Sequence, residues 1–114
     1  MLKHVLFLLS PGFYDGEKGP FYCPYAAAVE GMFKYIPEFE ELVEVHRIAF
    51  PRPRPGVLTL LGEENQGTPV LVIAEGARVP EYAQVSESTG RAFIENTQEI
   101  GKYLGEEFGK MAPH

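Results

Sequence analysis

The sequence predicts a single α/β domain of three layers, with elements in the order β-α-β-α-β-β-α and a mixed four-stranded sheet between its helices. Three observations carry that prediction. Residues 2–9, 42–50 and 69–74 are apolar runs of strand length, rich in residues that pack well on a pleated surface. Residues 24–36 and 96–108 instead repeat apolar positions at helical spacing. Strand and helix alternate twice before two closely spaced strands and a last helix, so two crossover units lead into a hairpin, with helices on both faces.

Residues 2–9 are apolar nearly throughout, as expected of a central strand covered on both faces. Ser10-Pro11-Gly12 breaks the run, and Asp15-Gly16 and Gly19-Pro20 mark the following stretch as turn-rich. Val29, Met32, Phe33 and Ile36 then form one helix face, with Pro24 suited to the first helical position because its missing N–H has no partner there. Pro37 ends this helix by pushing Ile36 out of the helical region. Leu42 to Phe50 reads as the second strand, preceded by an acidic, solvated edge of Glu38, Glu40 and Glu41 that continues to Glu44. Pro51-Arg52-Pro53-Arg54-Pro55 is a stiff connector, and 56–66 reads as a short helix closed by Gly67. Residues 69–74 are the third strand, 77–90 are polar and aperiodic, and 91–94 form a fourth strand. Asn96 caps the last helix with Glu99 three residues on; Ile100, Tyr103, Leu104 and Phe108 supply its apolar stripe, and Gly109 ends it.

At 114 residues the chain fits one domain, 1–114, with a core that needs no staples. Its net charge of −6 argues against nucleic acid or an anionic membrane as the partner, since both require a basic face. One cysteine cannot form an internal disulfide. The apolar start is shorter than a signal-peptide core and far shorter than a membrane span, so the expected location is the cytoplasm. His4, His46 and His114 have no metal-ligand spacing with one another or with Cys23. His46, on the second strand, is not expected to reach Cys23. No Gly-x-Ser-x-Gly elbow is present to support serine hydrolysis.

Chemistry therefore centres on Cys23, which directly precedes a predicted helix. Unpaired N–H groups and the positive end of the helix dipole favour a thiolate there, the form that attacks disulfides and electrophiles. The competing reading is a small, half-buried filler residue. Phe13, Tyr14, Phe21, Tyr22 and Tyr25 crowd the same stretch, either as an apolar wall for a ligand or as packing for a long loop. Arg52 and Arg54 admit three readings: a bidentate clasp for a carboxylate, a polyproline-type ligand, or a solvated connector.

Three segments resemble the thioredoxin fold of glutaredoxins and glutathione-transferase N-domains. Cys23-Pro24-Tyr25-Ala26 resembles their Cys-Pro-Tyr-Cys site, Thr68-Pro69-Val70-Leu71-Val72 their cis-proline segment, and Phe93-Ile94-Glu95-Asn96-Thr97 with Ile100 and Tyr103-Leu104 their final strand and helix. Pro11-Gly12-Phe13, Phe21-Tyr22-Cys23-Pro24, Phe50-Pro51-Arg52-Pro53-Arg54 and Leu61-Gly62-Glu63-Glu64-Asn65-Gln66 are further similar to an uncharacterised bacterial family of thioredoxin-like proteins.

The resemblance implies a thioredoxin-like fold and a single-cysteine thiol–disulfide oxidoreductase of the monothiol glutaredoxin kind, forming a mixed disulfide at Cys23. No cofactor is expected to be bound. Glutathione or a protein thiol is the implied co-substrate and partner. Tyr22, Pro24, Tyr25, Thr68, Pro69, Val70, Asn96 and Thr97 are the implied substrate-binding set, with Pro69 cis. The alternative is a redox-inactive thioredoxin-like module for binding or homodimerisation. Ala26 stands where a resolving cysteine would be, which excludes a dithiol cycle within one chain. Pro20 replaces a lysine that glutaredoxins place three residues before the cysteine. The Gly-Gly and Asp-Asp pairs with which many of them grip glutathione are absent from 90–97.

Overall fold

A computed structural model describes residues 2–114; Met1, the first residue of the expected domain, lies outside the described residues. The central strand β1 (Val5–Leu9) is buried at every position. Leu6 and Leu8 join one core cluster and Val5 and Phe7 the other, which is the strand alternation that lets one segment serve both faces of a sheet. A hairpin follows, β2 (Phe13–Asp15) paired with β3 (Lys18–Phe21), within the stretch read from sequence only as turns. The helix α1 (Pro24–Tyr35) starts at proline, and Ile36 leaves the helical region just before Pro37.

The chain then turns helical again as α2 (Glu38–Leu42), where the sequence was expected to give a solvated edge. Phe39 is wholly buried, and Glu38, Glu40 and Glu41 all sit in the first turn, where the helix dipole favours negative charge. The second strand, β4 (Glu44–Ile48), is shorter than the expected 42–50 because α2 takes Leu42. Next, α3 (Pro55–Leu61) ends at Gly62 with φ +87° rather than running to Gly67. Asn65 Nδ2 donates to the Leu61 carbonyl, helping to satisfy that helix end. The remaining elements are β5 (Val70–Val72), β6 (Gln84–Val85), β7 (Ala92–Ile94) and α4 (Thr97–Phe108).

The main sheet has five strands, not the expected four, in the order β4-β1-β5-β7-β6. β1 and β4 are parallel, and the remaining neighbours are antiparallel. The extra strand is the edge strand β6, two residues inside the segment that had no readable period. Side chains of α1, α2 and α4 pack on the face carrying Leu6 and Leu8, and those of α3 on the face carrying Phe7. Among the described residues no helix is long and apolar enough to cross a membrane.

The caps of α4 follow the sequence closely. Asn96 Oδ1 accepts from the Glu99 N–H at 3.0 Å, and Gly109 closes the helix in the left-handed region. Past Gly109 the chain folds back over α4. A Cβ built on Gly105 would lie 2.8 Å from the Met111 carbonyl oxygen, and one on Gly101 would lie 3.3 Å from Pro113. These glycines are the space in which the tail lies. Gly105→Ala should therefore lower the thermal midpoint of the full chain, although alanine favours a helix interior by about 1 kcal/mol. In a chain ending at Lys110 the same substitution should raise it, which paired melting curves would check.

Candidate functional site

The parallel pairing of β1 with β4 fixes where the candidate site lies. A crossover from β1 through α1 to β4 must bring the start of α1 to the carboxyl end of β1, the end at which open α/β sheets carry their sites. Ile48 sits opposite Leu9 at that end, and Ser10 N–H donates to the Ile48 carbonyl at 2.8 Å. The antiparallel register sets Val70 opposite Phe7, so the Thr68–Pro69 bond also falls near the end of β1. Ile94 opposes Leu71 on the next strand, which brings Asn96 to the same edge.

Cys23 is the N-cap residue of α1, extended in conformation, with its Sγ accepting from the Ala26 N–H at 3.5 Å. It is half-buried and packs against the core cluster that includes Ala26. Tyr22 and Tyr25, at 67 % and 65 % exposed, turn to solvent. Pro24 is exposed at the first helical position. The Thr68–Pro69 peptide bond is cis, as are Gly19–Pro20 and Arg52–Pro53. Thr68 Oγ1 is buried with no hydrogen-bond partner among the described residues. Val70 turns its side chain into the core on the α3 face. Asn96 has its side-chain carbonyl engaged as the cap of α4, and Thr97 lines a separate groove between α1 and α4.

The connector reverses one expectation. Arg52 is exposed, but Arg54 is only 7 % exposed, so this part of the connector is not solvated. Arg54 Nε and Nη2 donate to the Phe50 carbonyl at 3.0 and 2.6 Å, and Nη1 donates to the Gln66 carbonyl at 2.8 Å. Gln66 returns a bond, its Oε1 accepting from the Arg54 N–H at 2.8 Å. The Phe50 ring stacks on Phe13 of the hairpin at 4.6 Å, and Phe13 meets Phe21 at 6.2 Å. One guanidinium thus ties the connector, the segment after α3 and, through the aromatic stack, the hairpin leading to Cys23. These contacts also give two of the clustered aromatics, Phe13 and Phe21, a packing role.

Burial holds Arg54 below the usual arginine range and the neighbouring Arg52 charge adds to this, while negative charge at Cys23 acts in the opposite sense. Sequence reasoning noticed this arginine but not its burial; no pattern in Glu63-Glu64-Asn65-Gln66 marks Gln66 as its partner. His46 lies elsewhere, bonded to Glu44 at 2.6 Å and stacked on Phe7, on the α3 side of the sheet.

These features define a mixed α/β protein whose single thiol opens a helix at the carboxyl end of a parallel strand pair. The chain belongs to the family described as "Protein of unknown function (DUF3088)", whose model matches residues 3–112. Comparison with curated proteins and with solved structures returns no match.

Replacing Arg54 by Met should leave the Gln66 and Phe50 carbonyls without their donors and lower stability by about 2 kcal/mol or more. Arg54→Lys should recover only part of this, because an ammonium lacks the planar fork that serves two carbonyls. Urea midpoints of the three chains would measure both effects.

Proposed function

We propose that the protein is a single-cysteine thiol–disulfide oxidoreductase of monothiol glutaredoxin type on a thioredoxin-like scaffold. The observation that carries the reading is Cys23 at the N-cap of α1, half-exposed, with a helix N–H directed at its sulfur. Support for the scaffold comes from the strand order β4-β1-β5-β7, which is second, first, third, fourth once the hairpin and the edge strand are set aside. Further support comes from the cis bond before Pro69 at the same end of the sheet. A reducing compartment such as the cytoplasm suits a thiol that must be regenerated.

In the proposed reaction the Cys23 thiolate attacks one sulfur of a substrate disulfide. A Cys23–S–S–R bond forms, the substrate S–S bond breaks, and the departing thiolate takes up a proton. Glutathione or a protein thiol then attacks the mixed disulfide and releases Cys23. The group of the chain directed at the sulfur is the Ala26 amide in the first turn of α1. Backbone groups around Thr68 and Pro69 offer an extended substrate the edge on which to lie.

The second reading, a redox-inactive binding or dimerisation module, is favoured by a different observation. An apolar groove of about 440 Å³ lies between α1 and α4, lined by Ala28, Met32, Tyr35, Gly101 and Met111 and away from Cys23.

The test compares folded and urea-unfolded chain at one pH with glutathione disulfide, followed by intact mass. The folded chain should form a single adduct at Cys23 about tenfold faster or more, since only folding supplies the amides at the start of α1. Cys23→Ser should form none. An adduct rate in the folded chain equal to or below that of the unfolded chain would sink the redox proposal in favour of the module.

A further inference from the structure

We propose that His4 is an acid-released latch joining the start of β1, the turn after β5 and the last turns of α4. His4 is only 4 % exposed, and its Nδ1 accepts from the Ala74 N–H at 2.9 Å. A ring nitrogen that accepts cannot carry a proton, so this bond fixes the tautomer with hydrogen on Nε2. That nitrogen faces Glu107 Oε2 at 3.2 Å. Tyr103, edge-on to the imidazole at 5.2 Å, donates its hydroxyl to the Arg78 carbonyl at 2.8 Å and lies 3.3 Å from Glu107. The Phe108 ring closes the remaining side at 6.0 Å.

The latch thereby holds two points of the turn beyond β5. Ala74 is bonded directly, and Arg78 is bonded through Tyr103, with its guanidinium 4.9 Å above the Tyr103 ring. Residues 73–77 and Val79 form one wall of a groove of about 360 Å³, opposite residues 89–92. Protonating His4 puts hydrogen on Nδ1, directly against the Ala74 N–H. Two donors then face each other in a buried site, and the turn must move for either to find an acceptor.

The charged groups around His4 do not reverse this outcome. On α4, Glu107 favours the imidazolium, and Glu106 pairs with Arg78 at 3.6 Å. Arg78, from the turn, opposes added positive charge. Lys3 extends to the Glu41 carbonyl, and Glu44 directs its carboxylate to His46. Burial outweighs Glu107 and holds His4 below the usual histidine value.

The sign follows directly. The unfolded or opened chain binds the proton more readily, so the closed state is fully stable above the ordinary imidazole value and weakens as pH falls through it. Each pH unit in that window changes the closed-to-open ratio by up to about tenfold.

Amide hydrogen exchange by NMR on the full chain tests this, comparing about pH 7.5 with about pH 5 after correction for intrinsic rates. Protection at Ala74 should fall by about tenfold or more, and further than at Leu71 in the middle of β5. His4→Asn keeps an acceptor near the Nδ1 position and cannot titrate, so its Ala74 protection should not change over this range. Glu107→Gln removes a charge that favours the imidazolium in the closed state, so its loss of protection should begin at the same pH, continue to lower pH and end larger than in the wild type. A wild-type Ala74 amide indifferent to pH would overturn the latch, as would equal losses at Ala74 and Leu71. Should His4→Asn fail to fold, imidazole nitrogen shifts of the wild type decide. An Nδ1–H tautomer, or titration at or above the ordinary histidine value, overturns the proposal; an Nε2–H tautomer titrating below it supports the latch.

Discussion

Strand β1 is the constraint from which the other elements take their places. It is buried on both faces and hydrogen-bonded on both edges, to β4 on one side and β5 on the other. Burying each large side chain stabilises by about 1.5–3 kcal/mol. Five consecutive buried residues, four of them divided between two clusters, therefore specify one register strongly. A slip by one residue would exchange the set facing α1 and α4 with the set facing α3. Because β4 runs parallel to β1, the connection must cross a face of the sheet, and α1 is that crossing. The start of α1 arrives at the carboxyl end of β1 for this reason alone. Cys23 occupies its position because the sheet is built this way, whatever chemistry the sulfur performs.

The electrostatics at that end come from an unusual placement of charge. In a chain of net charge −6, Arg54 is buried and held by backbone carbonyls rather than by a carboxylate. Carbonyl dipoles solvate the guanidinium without cancelling its charge. Arg47 makes the opposite arrangement, with Glu30 neutralising it through two bonds of 2.7 Å. An uncancelled positive charge in a partly dry region acts over a longer distance than a surface pair does.

The parts of the fold that the sequence made legible are those in which a single strong local rule acts. The boundaries of α1 follow from Pro24 and Pro37, and those of α4 from Asn96 and Gly109. Each residue has one dominant conformational effect there. The unread parts are decided by tertiary contacts. β6 consists of two residues and exists because β7 offers it an edge. α2 exists because Phe39 fills the core beside α1, which no pattern within Glu38 to Leu42 reveals. The hairpin is held by Phe13 against Phe50, residues far apart in the chain. At the site, Cys23 and Pro24 were legible from the helix start. The burial of Arg54 was not, since a Pro-Arg-Pro stretch gives the same local signal whether it is solvated or held by Gln66. The His4 network was equally hidden, because its partners come from a turn and a helix at the other end of the sequence.

The two caps within this chain bear on how the sulfur should be understood. At α4 the cap is an amide oxygen, 3.0 Å from the N–H it satisfies. At α1 the corresponding acceptor is sulfur, at 3.5 Å. Ser, Thr, Asp or Asn would serve a purely structural cap better, because oxygen accepts more strongly than a neutral thiol and lies closer. Sulfur becomes a good acceptor only as a thiolate. The Ala26 N–H bond would then strengthen, and its donor is a backbone group that α1 holds in place. A cap that improves when its side chain ionises would favour the form of the thiol that the proposed exchange requires. The same geometry gives little reason for a cysteine at position 23 if the residue only closes a helix.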